Sequence, residues 1–116
     1  MTRRLLLHLA GPGAEPFPDV AAAVRMARNA HGEMPDAVVE IVVQGPAVRQ
    51  LAADGKHAGD IATLAGNPGL SIAACANSLR SAGMIPGALA EGVVVVPAAV
   101  AHLAQRQYEG TAYVRV

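Results

Sequence analysis

Among 116 residues there is one cysteine, Cys75, and its surroundings give it more chemistry than any other side chain. It closes the apolar run Leu70-Ser71-Ile72-Ala73-Ala74 and stands just before Asn77-Ser78-Leu79-Arg80, the pattern of a strand that turns into a helix. At such a turn the unpaired backbone N–H groups and the helix dipole favour a thiolate. The dipole contributes ~0.3–1 kcal/mol, which lowers a thiol pKa by less than about one unit from ~8.5, so activation needs a further donor or cation. A single cysteine forms no internal disulfide. Position alone therefore leaves two readings, a free nucleophile or a small apolar filler of the kind most free cysteines are.

His8, near the end of the first apolar run, is the candidate helper at the same sheet edge, although a lone histidine also serves as a hydrogen-bonded core or rim residue. The other histidines, His31, His57 and His102, show no close ligand spacing, and one cysteine makes no zinc pattern, so neither metal nor cofactor is expected. Gly11-Pro12-Gly13-Ala14-Glu15 follows the first strand as a phosphate loop would. Pro12 has no N–H, Glu15 repels phosphate, and Pro16 and Pro18 delay the helix that would hold the anion, so a plain surface loop is the better reading. No Gly-x-Ser-x-Gly elbow is present, and Met26, Met34 and Met84 read as core fillers.

The elements that must position Cys75 follow from two alternating patterns, short continuous apolar runs and longer stretches of helical spacing. Arg4–Leu9, Ala37–Val43, Leu70–Ala74, Val93–Val96 and Ala112–Val116 read as strands, Val- and Ile-rich enough to be buried on both faces. Helices are expected from Pro18-Asp19 to His31-Gly32, from Gly45-Pro46 to Gly55 with Val48, Leu51 and Ala52 inward, over Ala58–Ala65, over Asn77–Ala82 and over Ala98–Tyr108. The sum is one domain over residues 1–116, an α/β three-layer sandwich with a five-stranded, mostly or wholly parallel sheet. In open sheets of this kind the carboxyl ends of the strands form the site, where Cys75, His8–Gly13, Gln44-Gly45 and Pro97 fall. Strand order is not specified by these patterns.

Composition narrows the partners. Nine basic residues balance nine acidic ones at a sequence pI near 6.9, which disfavours nucleic acid and anionic membranes as partners. Hydrophobic residues make up 53% of the chain and aromatics only 3%, so Ala, Val, Leu and Ile fill the core and a neutral surface favours self-association. The charged start Met1-Thr2-Arg3-Arg4 leads into an apolar stretch that ends by Gly11, too short for an export signal, and Gly92–Leu103 is broken by Pro97 and His102. A cytoplasmic protein is expected.

Four segments together resemble the DsrE/DsrF-like family: Ala74-Cys75-Ala76-Asn77-Ser78-Leu79, then Gly83-Met84-Ile85-Pro86 with Leu89, then Gly92–Pro97, and finally Gln107-Tyr108-Glu109-Gly110-Thr111-Ala112-Tyr113-Val114. The likeness is densest over Ile72–Val116 and looser across Arg4–Gly45. Thr111 departs from it, standing where an aromatic residue is common. The resemblance implies a small α/β sandwich, assembly into trimers or hexamers, and a sulfur-relay role with a persulfide held on Cys75 and passed to a partner thiol. By the same resemblance Asn77 and Ser78 shape the loop and cap the helix, and His8 supports the site.

The leading expectation is thus a sulfur carrier or sulfurtransferase that needs no organic cofactor and exchanges sulfur with a donor or acceptor protein. The alternative is a non-catalytic oligomeric binding or scaffold subunit with an unreactive Cys75. A small-ligand or nucleotide pocket at the strand ends is a third reading.

Overall fold

A computed structural model describes residues 2–116, so that Met1 of the charged start lies outside the described residues. Each apolar run becomes a strand: β1 (Arg4–Leu9), β2 (Val38–Val43), β3 (Leu70–Cys75), β4 (Val93–Val96) and β5 (Ala112–Arg115). All four pairings are parallel, in the order β4-β3-β2-β1-β5. This is the expected α/β sandwich, with the sheet wholly parallel.

Helix α1 (Val20–Glu33) begins where Asp19 accepts the N–H of Ala22 at 2.8 Å, and it buries Val20, Ala23, Val24 and Ala27 along one stripe. Helices α2 (Ala58–Ala65), α3 (Ala76–Ser81) and α4 (Ala99–Tyr108) fall within a residue of their expected bounds. The segment after β2 differs. It is a 3₁₀ helix, Gly45–Leu51, that stops four residues before Gly55; Val48 and Leu51 eclipse one another inward, while Ala52 turns outward into a lone bridge with Leu89.

The strand order decides which face each helix takes. From β1 to β4 every step runs the same way, so right-handed crossovers put α1, α2 and α3 on one face. The connection from β4 to β5 runs back across three strands and puts α4 on the other. Two clusters record this: Leu7, Leu9, Val39, Ile41, Val43, Ile72 and Ala74 face α1, α2 and Leu79 of α3, whereas Leu6, Val42 and Cys75 face Ala99 and Leu103 of α4.

One helix cannot cover five strands. The strands expected to be buried on both faces are so only in the centre, and all four residues of β5 and Val94 of β4 are exposed. Met26 is also exposed instead of filling the core, because its place on α1 lies off the buried stripe; Met84 does pack against the larger cluster. No helix of the described residues is long and apolar enough to cross a membrane.

Candidate functional site

Strands β3 and β4 are neighbours, yet the helices that leave them lie on opposite faces of the sheet. A crevice must open where neighbouring connections part in this way, and open α/β sheets place their ligands there. In this protein it is a cleft of about 460 Å³ whose lining includes Gln44, Arg49, Cys75, Asn77, Ser78 and Ala99. Cys75 ends β3 beside Val96 of β4, so the topology delivers the only thiol to the crevice.

Cys75 is the N-cap residue of α3, and its Sγ accepts the N–H of Ala99, the first residue of α4, at 3.4 Å. Two helix starts therefore meet at one sulfur. Burial pushes the thiol pKa up, the largest single influence. The backbone N–H groups of Ser78, Ala99 and Asn77 and the Ser78 hydroxyl together outweigh it, and the pKa lies below the ordinary thiol value. Cys75 remains only 2% exposed, so reagents meet its sulfur from the cleft side alone.

Ser78 and Asn77 act differently from the expected caps. Neither side chain caps α3: the Ser78 hydroxyl oxygen accepts the N–H of Gly45 at 2.8 Å, and Asn77 Oδ1 accepts from the Arg80 guanidinium. Physically, the cap position belongs to Cys75 itself, and both side chains start beyond it. Gly45 serves because its φ of +75° and the 3.1 Å that would separate a Cβ from the Ala10 carbonyl exclude a larger residue. Its N–H can then turn toward Ser78.

His8 is near the crevice but does not touch the thiol. It pairs across the sheet with Val42, and Val42 with Ala73, two residues short of Cys75. At ~4.8 Å between strands and ~3.3 Å per residue, the Cα atoms of His8 and Cys75 are roughly 12 Å apart. Its ring is occupied elsewhere. Nε2 donates to Gln44 Oε1 at 2.9 Å, and with that tautomer Nδ1 accepts from the Tyr113 hydroxyl at 2.6 Å. His8 thus bears on the cleft through Gln44, whose amide oxygen it holds.

Several lining residues carry no signal at the sequence level. Arg49, the cleft's cation, projects from the 3₁₀ helix, and Ala99 contributes only a backbone donor. Gln44-Gly45, by contrast, is among the strand-end positions the sequence marks, and both residues line the cleft. The Gly11–Gly13 loop holds no anion seat: Gln50 donates to the Gly13 carbonyl at 2.6 Å and accepts the N–H of Val20, so side chains of the protein occupy the start of α1. Among the described residues no three His, Cys, Asp or Glu side chains gather as metal ligands.

No model of a known protein family matches the chain, and no curated protein does. Solved structures do. The ychN protein from E. coli superposes with a TM-score of 0.77 over 100% of both chains at 15% identity, a likeness of fold alone. MTH1491 from Methanobacterium thermoautotrophicum, a protein of unknown function, superposes with a TM-score of 0.87 at 33% identity over 98% of this chain and 99% of its own. At that identity and coverage, the chain belongs to the same protein family as MTH1491.

Proposed function

We propose that this protein is a sulfur carrier or sulfurtransferase of the DsrE/DsrF-like kind, holding sulfur as a persulfide on Cys75. The observation that carries the reading is the place of Cys75 at the head of α3, where its sulfur accepts the N–H of Ala99, the first residue of α4, beside an open cleft and its pKa is held below the ordinary thiol value. Atoms and charge balance without an oxidant. With thiosulfate as donor, the thiolate attacks the outer sulfur, the S–S bond breaks with its electron pair leaving on sulfite, and Cys75 retains the sulfur as a persulfide. A partner thiolate then attacks the terminal sulfur and releases the Cys75 thiolate.

Exposure to thiosulfate or polysulfide followed by intact-mass analysis tests the reading. The wild-type chain should gain one sulfur atom and Cys75→Ser none. An equal gain in both, or none in either, ends it.

A second reading rests on the 2% exposure of Cys75. An oligomeric scaffold subunit with an inert thiol would label with a maleimide only after unfolding, whereas a sulfur carrier labels in the native state. Assembly is proposed under both readings, as a trimer or hexamer, because Val94, Val100, Tyr108, Tyr113 and Val114 stand exposed on β4, α4 and β5. A single-chain mass by light scattering at micromolar concentration would refute it. A free thiol that must stay reduced suits the cytoplasm.

A further inference from the structure

Besides the Ala99 N–H on Cys75, helix α4 is fastened to the sheet by a carboxylate. Glu40, midway along β2, interrupts an otherwise apolar strand and leaves only 16% of its side chain exposed. Its Oε2 lies 3.0 Å from His102 Nε2 and its Oε1 lies 3.4 Å from Arg106 Nε, two side chains four residues apart on α4. The same stripe of α4 carries Ala99 and Leu103, since residues 99, 102, 103 and 106 recur at helical spacing. The face that grips Glu40 is therefore the face that presents Ala99 to Cys75.

The two attachments differ in kind. Ala99 and Leu103 meet Leu6, Val42 and Cys75 through apolar contact, which rewards burial but not register. The carboxylate bonds are directional and admit one seating of the helix. At ~1.5 Å rise per residue, His102 lies only about 4.5 Å along the axis from Ala99, so a shift at one is felt at the other. The Ala99 N–H meets the sulfur at 3.4 Å, and a hydrogen bond weakens as its donor turns off the acceptor, so a change in the seating of α4 alters it. A largely buried carboxylate is an expensive way to fill a sheet face, and fixing register is the best-attested return for such a group.

We propose that Glu40 is a positioning residue for Cys75, holding α4 in the register that brings the Ala99 N–H to the sulfur. The inference rests on the reading of Cys75 as a reactive thiol. Glu40 touches neither sulfur nor donor and acts through His102, Arg106 and the helix between them.

Because the chain has one cysteine, the pH dependence of its alkylation by iodoacetamide reports Cys75 alone. Glu40→Gln should displace that profile to higher pH, with the rate near neutrality falling about threefold, the equivalent of half a pKa unit. The sign is diagnostic. Deleting a negative charge would by itself favour the thiolate and move the profile the other way. Ile61→Val, a cavity variant on the opposite face of the sheet, serves as the control for lost stability and should leave the profile in place. If Glu40→Gln does not fold, His102→Gln removes the clasp's first partner and should shift the profile in the same direction by a smaller factor. An unmoved profile in the folded variant, a move to lower pH, or an equal shift in Ile61→Val overturns the positioning role. A wild-type profile at the ordinary thiol value overturns the reactive thiol and the positioning role together, whereas a lowered wild-type value that Glu40→Gln leaves untouched overturns only the latter.

Discussion

The Ser78 hydroxyl accepts the N–H of Gly45 at 2.8 Å, joining the turn after β2 to the helix after β3 beside the only thiol in the protein. The Ser78 hydroxyl is also among the groups that lower the Cys75 pKa. Ser78→Ala should raise that pKa and slow iodoacetamide alkylation near neutral pH. It should also cost about 0.5–1.5 kcal/mol in urea unfolding, through the donor left at Gly45. An unchanged pH–rate profile would remove Ser78 from the site.

Gly45→Ala tests the other end of the same bond. A Cβ at φ +75°, 3.1 Å from the Ala10 carbonyl oxygen, should cost roughly 1–3 kcal/mol of stability. The denaturation midpoint should fall, and the Cys75 profile should move to higher pH as the Gly45 N–H turns away from Ser78. A variant as stable as wild type would show that the turn accommodates a side chain.

The lowered pKa of Cys75 makes a signed prediction for stability. A thiol whose folded pKa lies below its unfolded value stabilises the fold in its ionised form. That contribution is complete above the unfolded pKa and is lost as pH falls through the folded one. Relative to Cys75→Ser, the wild-type protein should gain unfolding free energy as pH rises through this window and hold a constant difference below it. Urea titrations at a series of pH values measure the gap; one that is flat with pH would contradict the shift.

Tyr113→Phe removes the donor to His8 Nδ1, now 2.6 Å away, and should cost about 0.5–1.5 kcal/mol. Because His8 serves the Tyr113 and Gln44 side chains and not the thiol, the alkylation profile of Cys75 should stay within error of wild type. A marked shift would restore His8 as the helper. Nitrogen NMR of the His8 ring, followed through the same substitution, should show the change in Nδ1 directly.

How much of this was legible beforehand depended on range. The strands, the long helices and the strand-to-helix turn at Cys75 are readable because continuous apolar runs and a 3.6-residue apolar period are properties of neighbouring residues. The 3₁₀ helix escaped because Gly45-Pro46 signals a helical start without specifying its pitch. Residue type points Met26 inward, but its angle around α1 leaves it exposed. Glu40 shows in the sequence only as one polar residue in an apolar run, since its partners lie 62 and 66 residues away.

The class of fold, the single thiol and its place at the end of a strand are all written in local pattern and residue type. Only the tertiary structure decided that α4 crosses the opposite face from α3, that its first N–H reaches a sulfur 24 residues back, and that His8 turns to Tyr113 instead. Those contacts follow from strand order and crossover hand, and strand order is settled by which faces can be buried together, a choice that no local stretch of the chain contains.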